Sequence, residues 1–361
     1  LRALAADEPG CYEAHYRLAL NLHTQRRNDE AEAWARRAHA LDPEAADLGD
    51  LLGHLALHRG AIGEALDRFA AAAAQATPLA HQYAENHLYA LHYDAARSRE
   101  EVFAAHRAFG ARFGGCGEDL ARRFDNLPDP ERRLRIGYIS PDFRAHSVAF
   151  FATALFEHRD PAGFETFAYS LSATRDTFSS WFAEEADHWR EVSRLTPDEI
   201  RARIAEDRID ILVDLAGHTG NNGLAAMHRR AAPVQATYLG YPDTIGMSEI
   251  DYRIVDAITD PPGEADALAT ETLIRLPRVF IAYRPEPGRD AVSDGPMASA
   301  APFTFGTFNT ALKFNDRTFD AWAAILRGAP AARLLLKAQQ FESASARAWI
   351  ADAFAARGVP P

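Results

Sequence analysis

Cysteine is almost absent from this sequence. Its 361 residues include only Cys11 and Cys116, which lie too far apart to form a metal-binding or redox spacing. So little cysteine fits a reducing compartment better than an oxidising one, where disulfides form and persist. We therefore expect a cytoplasmic protein.

Long apolar runs and an excess of positive charge are also missing. No apolar stretch approaches the roughly 20 residues that span a bilayer. The first residues, LRALAADEPG, do not resemble a signal peptide and look like the continuation of an upstream segment. The net charge of −12 argues against non-specific nucleic-acid binding, which needs a basic surface. We expect neither a membrane nor a nucleic acid as partner.

Three common nucleotide and hydrolase motifs are absent as well. The sequence contains no GxGxxG, no P-loop and no GxSxG. A Walker-type nucleotide hydrolase and a serine hydrolase therefore have no support.

The N-terminal part of the chain repeats with a period near 34 residues, the length of a tetratricopeptide repeat. The recurring residues are Leu18, Ala31 and Ala38, which return as Leu52, Ala65 and Ala72. Small residues let paired helices approach closely. A degenerate third pair, LAHQYAENHLYALHYD and SREEVFAAHRAFGARF, suits a segment that caps the stack. We predict tetratricopeptide (TPR) helical repeats over residues 1–113; the alternative is an Ala-rich helical bundle without repeats.

Short apolar strands alternate with amphipathic helices from residue 134 onward, after a connection at 114–133. The predicted strands are LRIGYIS, FETFAYSLS, WREVSRL, IDILVDLAG and VQATYLGY, and the predicted helices are TFSSWFAEEAD and TPDEIRARIAEDR. The second helix opens with a capping box, Thr196 with Glu199. This alternation indicates an α/β domain over 134–283, with a mostly parallel sheet and helices on both faces.

A second alternation follows a stretch rich in Pro, Gly, Ser and Asp at 284–302, which we interpret as a linker. FTFGTFN and RLLLKA are predicted strands; DRTFDAWAAILRG and SASARAWIADAFAARG are predicted helices. Two strands and two helices do not cover both faces of a doubly wound sheet. We therefore expect residues 303–361 to be the start of a second, truncated α/β domain.

Polar residues follow four of the predicted strands. The first loop contains His146, the second is DLAGHTGNN with His218 and Thr219, the third is LGYPDTIG, and the fourth, FNTALKFND, contains Lys313. Parallel strands present their carboxyl ends at the same edge of a sheet, so the first three loops can meet. A cleft between two such domains is a usual place for a small-molecule site.

Each of these residues also has a plainer explanation. His146 could be a surface histidine or a helix-start cap, and Lys313 could be a solvated charge. His218 and His228 suggest a metal, but HExxH and a third ligand at a suitable spacing are missing, so we expect no metal. The glycines of LGYPDTIG could serve only a tight turn.

Five longer motifs follow the repeats in order: RIGYISPDFRAHSV, IDILVDLAGHT, APVQATYLGYPDTIG, IDYRIVDAITDPP and FGTFNTALKFN. They resemble the protein O-linked N-acetylglucosamine transferases and their bacterial relatives, and the resemblance covers essentially the whole chain. It implies a GT-B fold with two Rossmann-like domains, the first on the acceptor side and the second on the UDP-sugar side. It also implies an inverting transfer of N-acetylglucosamine from UDP-GlcNAc to protein Ser or Thr hydroxyls, without metal or other cofactor. The TPR superhelix would guide a protein or peptide acceptor.

The resemblance gives catalytic importance to His146 and Lys313. The histidine of the SPDFRxH-type loop lies near the acceptor and the sugar and has been proposed as the base, although the donor phosphate could also take the proton. Lys313 stands where the family has a lysine that holds the diphosphate. We therefore expect both residues to be needed for transfer.

The resemblance also implies a set of substrate-binding residues: Thr219, His218, Leu239, Gly240, Tyr241, Pro242, Thr310 and Leu336. Thr219 would contact the sugar nucleotide, the turn 239–242 would wrap the sugar and its diphosphate, and Leu336 would pack near the nucleotide. Thr310 departs from the family, because the animal enzymes have a nucleotide-contacting Gln at this position. Two other hypotheses stay open: a GT-B transferase with another donor or a non-protein acceptor, and a TPR binding protein without activity.

Overall fold

The computed structural model describes residues 2–115, 124–129, 131–283, 295 and 302–359. Parts of the predicted connection at 114–133 and most of the predicted linker at 284–302 lie outside the described residues. The chain divides into two compact units, one formed by residues 1–96 with 288–361 and the other by residues 97–287.

Paired helices begin the first unit, as the 34-residue period predicts. They are Arg2–Asp7 (α1), Tyr12–Thr24 (α2), Asn28–Leu41 (α3), Ala46–His58 (α4), Ile62–Ala74 (α5) and Ala80–Leu91 (α6). Helix α2 packs on α3 and α4 on α5. The recurring alanines are buried in these contacts, and Gly53 lies so close to Phe69 that a Cβ would come within 2.6 Å of the ring. Small residues thus let the helices approach.

The turns of the two repeats match as well. Arg26 joins α2 to α3 and Gly60 joins α4 to α5, 34 positions later, with φ angles of +64° and +79°. Glycine adopts such a positive φ readily, whereas an L-residue such as Arg does so at a steric cost.

The rest of the first unit is the segment after residue 302. Thr304–Thr307 (β8) and Arg333–Leu336 (β9) pair in parallel, and the helices are Asp316–Gly328 (α12) and Ala344–Ala355 (α13). Short 3-10 turns lie at Ala311–Lys313 and Gln339–Glu342. The buried core of this segment contains Phe319 and Phe354. Its strands and helices fall where the sequence predicts them.

The second unit is built on a parallel sheet. Its strands are Leu134–Ser140 (β1), Phe164–Ser170 (β2), His188–Glu191 (β3), Ile211–Asp214 (β4), Val234–Tyr238 (β5), Tyr252–Asp256 (β6) and Thr272–Leu276 (β7). The spatial order is β3-β2-β1-β4-β5-β6-β7. The first five match predicted strands, whereas β6 and β7 were not predicted as strands.

Helices cover this sheet, and three of them begin at side-chain caps. They are Arg99–Phe113 (α7), Ala149–Glu157 (α8), Thr177–Glu185 (α9), Pro197–Glu206 (α10) and Leu224–Met227 (α11). The predicted capping box is present at the start of α10, where the Thr196 side chain accepts the Glu199 N–H. Phe143, Phe156 and Phe182 fill the core on one side of the sheet. No described helix is both long and apolar enough for a bilayer. The predicted fold class, helical repeats followed by α/β structure, is confirmed.

Candidate functional site

The carboxyl ends of β1, β4 and β5 lie side by side at one edge of the sheet. Ile139 of β1 pairs with Asp214 of β4, and Asp214 pairs with Thr237 of β5. The loops after these strands therefore start together, which confirms that they can meet. The strand order reverses between β1 and β4, and such a switch point is where open α/β sheets bind ligands.

The first loop presents His146 next to a buried carboxylate. The His146 side chain is 36% exposed, and its Nδ1 lies 3.4 Å from Oδ1 of Asp142, which is itself buried. Arg144 donates to the same carboxylate oxygen at 3.3 Å. The Val148 N–H donates to Nδ1 of His146 at 3.3 Å. The imidazole is thus oriented through one nitrogen and accessible to solvent.

The two contacts at Nδ1 favour different tautomers of His146. The Val148 N–H places the proton on Nε2, whereas the carboxylate of Asp142 favours a proton on Nδ1 and leaves a lone pair on Nε2. Burial lowers the pKa of His146, and the charge of Asp142 only partly opposes this. The neutral imidazole therefore predominates at neutral pH, and with the proton on Nδ1 it can accept another at Nε2.

The loop around His146 is held by Asp176, which sequence reasoning missed. Its Oδ2 accepts the Ala145 N–H at 2.7 Å, and its Oδ1 accepts the Ser179 N–H at 2.8 Å at the start of α9. The signal in the sequence was a capping box, Asp176 with Ser179. One carboxylate thus fixes both a helix start and the loop.

The second loop is organised by Asp214, which is fully buried at the end of β4. It accepts the N–H groups of Ala216 and Gly217 at 3.1 and 2.7 Å and the hydroxyl of Thr237 at 2.9 Å. Burial raises the pKa of Asp214 to about 6, although these hydrogen bonds oppose the rise. Thr219 lies half-buried further along the loop, where its hydroxyl donates to the Ala216 carbonyl at 3.0 Å.

His218 and Tyr241 lie beneath these loops. His218 is 1% exposed, donates from Nε2 to the Ile245 carbonyl at 2.8 Å and packs edge-on against Phe109 of α7. The hydroxyl of Tyr241, which is also buried, donates to Nε2 of His106 at 2.8 Å. Both side chains join the loops to α7 from the inside, and their predicted contacts with substrate stay predictions.

The third loop approaches the second backbone to backbone. A Cβ on Gly240 would lie 2.0 Å from the Leu215 carbonyl oxygen, and a Cβ on Gly217, whose φ is +57°, would lie 2.2 Å from that of Tyr241. Leu239 has a φ of +76°, and Pro242 is exposed after the turn. These glycines therefore permit a close contact between two loops, beyond the needs of a single tight turn.

Buried Glu271 supports the far end of the third loop. Its carboxylate accepts the Thr244 hydroxyl and the Ile245 N–H, both at 2.6 Å. Glu271 lies just before β7, so no local pattern in the loop pointed to it.

The fourth loop belongs to the first unit. Thr310 precedes the 3-10 turn Ala311–Lys313, and Leu336 ends β9 opposite Thr307, half-buried against the core of the segment. Lys313 is exposed and pairs with no acidic side chain of the described residues. The hydroxyl of Thr310 accepts a hydrogen bond from Nε2 of Gln340 at 2.8 Å.

The chain contains only two lysines, and both follow the strands of the two-stranded sheet, β8 and β9. Lys313 follows β8 and Lys337 follows β9 directly, with its Nζ 5.6 Å from the centre of the Phe308 ring. Two exposed ammonium groups thus stand at the carboxyl ends of adjacent parallel strands, where an anionic ligand can bind.

The part of the chain that the structure describes contains no set of side chains suited to bind a metal ion. No three His, Cys, Asp or Glu side chains there are arranged to hold an ion. The Nε2 atom of His218 is bonded to a carbonyl group, so this nitrogen does not face an ion. The absence of a metal requirement stays a prediction.

The model of glycosyl transferase family 41 matches residues 118–283. The chain is 38% identical over 261 residues to the probable UDP-N-acetylglucosamine–peptide N-acetylglucosaminyltransferase SPINDLY of Arabidopsis thaliana, which covers 71% of this chain and 28% of that protein. It is 36% identical over 151 residues to the UDP-N-acetylglucosamine–peptide N-acetylglucosaminyltransferase of Caenorhabditis elegans, covering 41% of this chain and 13% of that protein. The chain thus spans 28% of the length of the plant relative.

Among solved structures, the chain resembles the O-GlcNAc transferase of Thermobaculum terrenum, determined as a lysine-to-methionine mutant. The TM-score is 0.91 and the identity 32%, over 99% of this chain and 68% of that one. Such a score over nearly the whole chain confirms the predicted GT-B fold behind helical repeats. Similarity of sequence and of fold agree, and the chain belongs to glycosyl transferase family 41.

Proposed function

We propose that this chain is part of a glycosyltransferase, and that this enzyme transfers N-acetylglucosamine from UDP-GlcNAc to Ser or Thr hydroxyls of proteins. The names of the plant and nematode relatives support the donor and the peptide acceptor. The observation that carries the proposal is His146, a neutral, accessible imidazole oriented by a buried carboxylate at the switch point of the sheet.

The transfer is proposed to invert the anomeric carbon. The acceptor oxygen forms a bond to this carbon while the bond to the UDP phosphate oxygen breaks, through a transition state with oxocarbenium character. The acceptor proton passes to Nε2 of His146 or to the departing phosphate. His146 is required on either route, because its place beside Asp142 suits it to hold the hydroxyl in line.

We assign to Lys313 the stabilisation of the negative charge that develops on the departing UDP. This ammonium group is exposed and has no acidic partner among the described residues, so its charge is available to an anion. Charge-assisted hydrogen bonds to phosphate are about twice as strong as neutral ones. A fixed cation of this kind can replace a divalent metal in stabilising the leaving group.

The remaining contacts follow from the loops. Thr219 and the turn 239–242 are proposed to enclose the sugar, with His218 and Tyr241 holding these loops from beneath. The helical repeats are proposed to guide the protein acceptor. We propose that the protein is cytoplasmic. We propose no cofactor, and neither a nucleic acid nor a membrane as partner.

Replacing Lys313 tests the function. We expect Lys313→Ala in the intact protein to nearly abolish transfer and to weaken UDP binding, because it removes the cation assigned to the diphosphate. Arg317→Ala is the matched control, since Arg317 is exposed on α12 and its loss changes the net charge equally. Transfer of radiolabelled sugar and calorimetry with UDP are the measurements. Unchanged turnover and unchanged UDP affinity in Lys313→Ala would show that the assignment is wrong.

A further inference from the structure

The turns of the two repeats contact the segment that follows β9. At Gly60 the indole of Trp349 packs so closely that a Cβ would lie 2.5 Å from it. At the equivalent position of the preceding repeat, the guanidinium of Arg26 contacts the side-chain amide of Gln339. A positive φ is unfavourable for Arg, and this contact gives its side chain a role that glycine could not fill.

Asp29, at the start of α3, accepts hydrogen bonds from the same segment. Its Oδ1 accepts the hydroxyls of Ser343 and Ser345 at 2.8 and 2.5 Å, and its Oδ2 accepts the Ala344 N–H at 2.9 Å. Ser343 is the N-cap of α13, so the carboxylate also lies at the positive end of that helix. Burial opposes the charge, yet these hydrogen bonds hold the pKa of Asp29 below its ordinary value. The first repeat therefore binds the start of α13 through the carboxylate of Asp29.

The 3-10 turn between these contacts, Gln339–Glu342, also supports the loop of Lys313. Gln340 donates from Nε2 to the Thr310 hydroxyl at 2.8 Å and accepts the Ala311 N–H at 3.5 Å through Oε1. The turn Ala311–Lys313 packs on α4 of the second repeat as well. The loop of Lys313 is thus supported by the repeats twice, directly and through residues 339–345.

We propose that the helical repeats are part of the scaffold of the donor site. Arg26 and Asp29 position the turn Gln339–Glu342, and Gln340 of that turn positions Thr310 and the loop that carries Lys313. Asp29 and Gln340 are therefore positioning residues for donor binding. The inference rests on the proposed function in one respect, the assignment of Lys313 to the diphosphate.

Two variants in the intact protein test the connection, Asp29→Ala and Gln340→Ala. Each should raise the KM for UDP-GlcNAc and the Kd for UDP about three- to tenfold, the scale of one or two lost hydrogen bonds, and leave the KM for the protein acceptor unchanged. Simple destabilisation would instead lower kcat through a smaller folded fraction and leave the donor KM as it was. Asp67→Ala is the control, because Asp67 is exposed on α5 of the next repeat.

Lys313→Ala, measured alongside, separates this inference from the proposed function. If Lys313→Ala loses UDP affinity while Asp29→Ala and Gln340→Ala keep the donor KM and the UDP Kd of the unmodified protein, the scaffold role is refuted and the function stands. If Lys313→Ala leaves both turnover and UDP affinity intact, the assignment of Lys313 to the diphosphate is wrong, and this inference fails with it. Asn in place of Asp29 retains an acceptor for the two serines, so a smaller effect of Asp29→Asn than of Asp29→Ala supports positioning.

Discussion

The protonation of His146 decides what the first loop can do. Burial lowers its pKa from the ordinary value of about 6.5, and the charge of Asp142 raises it again in part. If transfer needs the neutral imidazole, activity persists below pH 6.5 and falls only as the pH drops through the lowered pKa. The acid limb of the pH profile therefore reports the His146–Asp142 pair.

Asp142→Asn should move that limb to lower pH. The substitution removes the charge that raises the pKa of His146, so the imidazole stays neutral in more acidic solution. The plateau should fall about tenfold or more, because Nδ1 loses the carboxylate that favours its proton. The measurement is kcat/KM between about pH 5 and 8, across the range in which His titrates. Asp67→Asn serves as control; an acid limb that moves to higher pH contradicts the pairing.

Gly240→Ala should destabilise the protein by about 1–3 kcal/mol, the usual cost of overpacking. The added Cβ would lie 2.0 Å from the Leu215 carbonyl oxygen, and a backbone atom cannot swing aside like a flexible side chain. Gly220→Ala is the control, since nothing lies within 4 Å of its added Cβ. Urea unfolding of both variants decides the matter, and equal stabilities would show that the two loops separate easily.

At the residue scale, sequence patterns predicted the loops of the candidate site. They did not predict the distant residues that hold these loops in place. His146 and Asp214 could be found because polar residues follow apolar strands. The burial of His218 could not, because it depends on α7, which lies more than a hundred residues earlier in the chain. Glu271 likewise reaches the third loop from just before β7. Contacts between distant segments leave no periodic trace in a sequence.

At the scale of elements, α7 has a different neighbourhood from the one its sequence suggests. It was predicted as the second helix of a third repeat pair, and the compact unit that contains it is the one with the parallel sheet. It approaches the third loop through glycine: a Cβ on Gly110 would lie 1.8 Å from the Gly246 carbonyl oxygen. The predicted boundary of the repeats at residue 113 stays a prediction.

The same substitution in two helices should have opposite effects. Alanine is a better helix former than glycine by up to about 1 kcal/mol, so Gly63→Ala in α5, where nothing lies within 4 Å, should be neutral or stabilising. Gly110→Ala should destabilise by about 1–3 kcal/mol, because the new methyl group meets backbone. Thermal unfolding of both variants is the measurement. A stabilised Gly110→Ala would mean that α7 does not pack on this loop in solution.

Local signals predicted elements well where they were strong. The capping box of α10 and the span of α12, Asp316–Gly328, were both anticipated from the sequence. Strands β6 and β7 were missed although they are no shorter than β3 and β4. Two buried residues of β6, Arg253 and Asp256, are charged, and β7 exposes Ile274, so apolar residues do not mark the buried face of either strand. Their place in the sheet is defined by pairing with neighbours, which a single stretch of sequence does not encode.

At the scale of the whole molecule, the charge balance bears on how a diphosphate is held. The chain has a net charge of −12, so an anionic nucleotide needs local cations to bind. We expect transfer to survive EDTA, because Lys313 is assigned the neutralising role and the described residues contain no ligand cluster for an ion. Activity assays with and without chelator test this. Loss of transfer that Mg²⁺ or Mn²⁺ restores contradicts it.

The position of the two lysines has a practical consequence for anyone who immobilises or labels this chain. Reagents that attack primary amines will find, within these 361 residues, only Lys313 and Lys337 besides any free α-amino group. Both are exposed at the carboxyl ends of adjacent strands, so amine coupling would attach the protein to a sensor surface through the edge proposed to receive the nucleotide. Coupling through another chemistry keeps that edge open, and protection of these two amines by UDP becomes a direct footprint of the site.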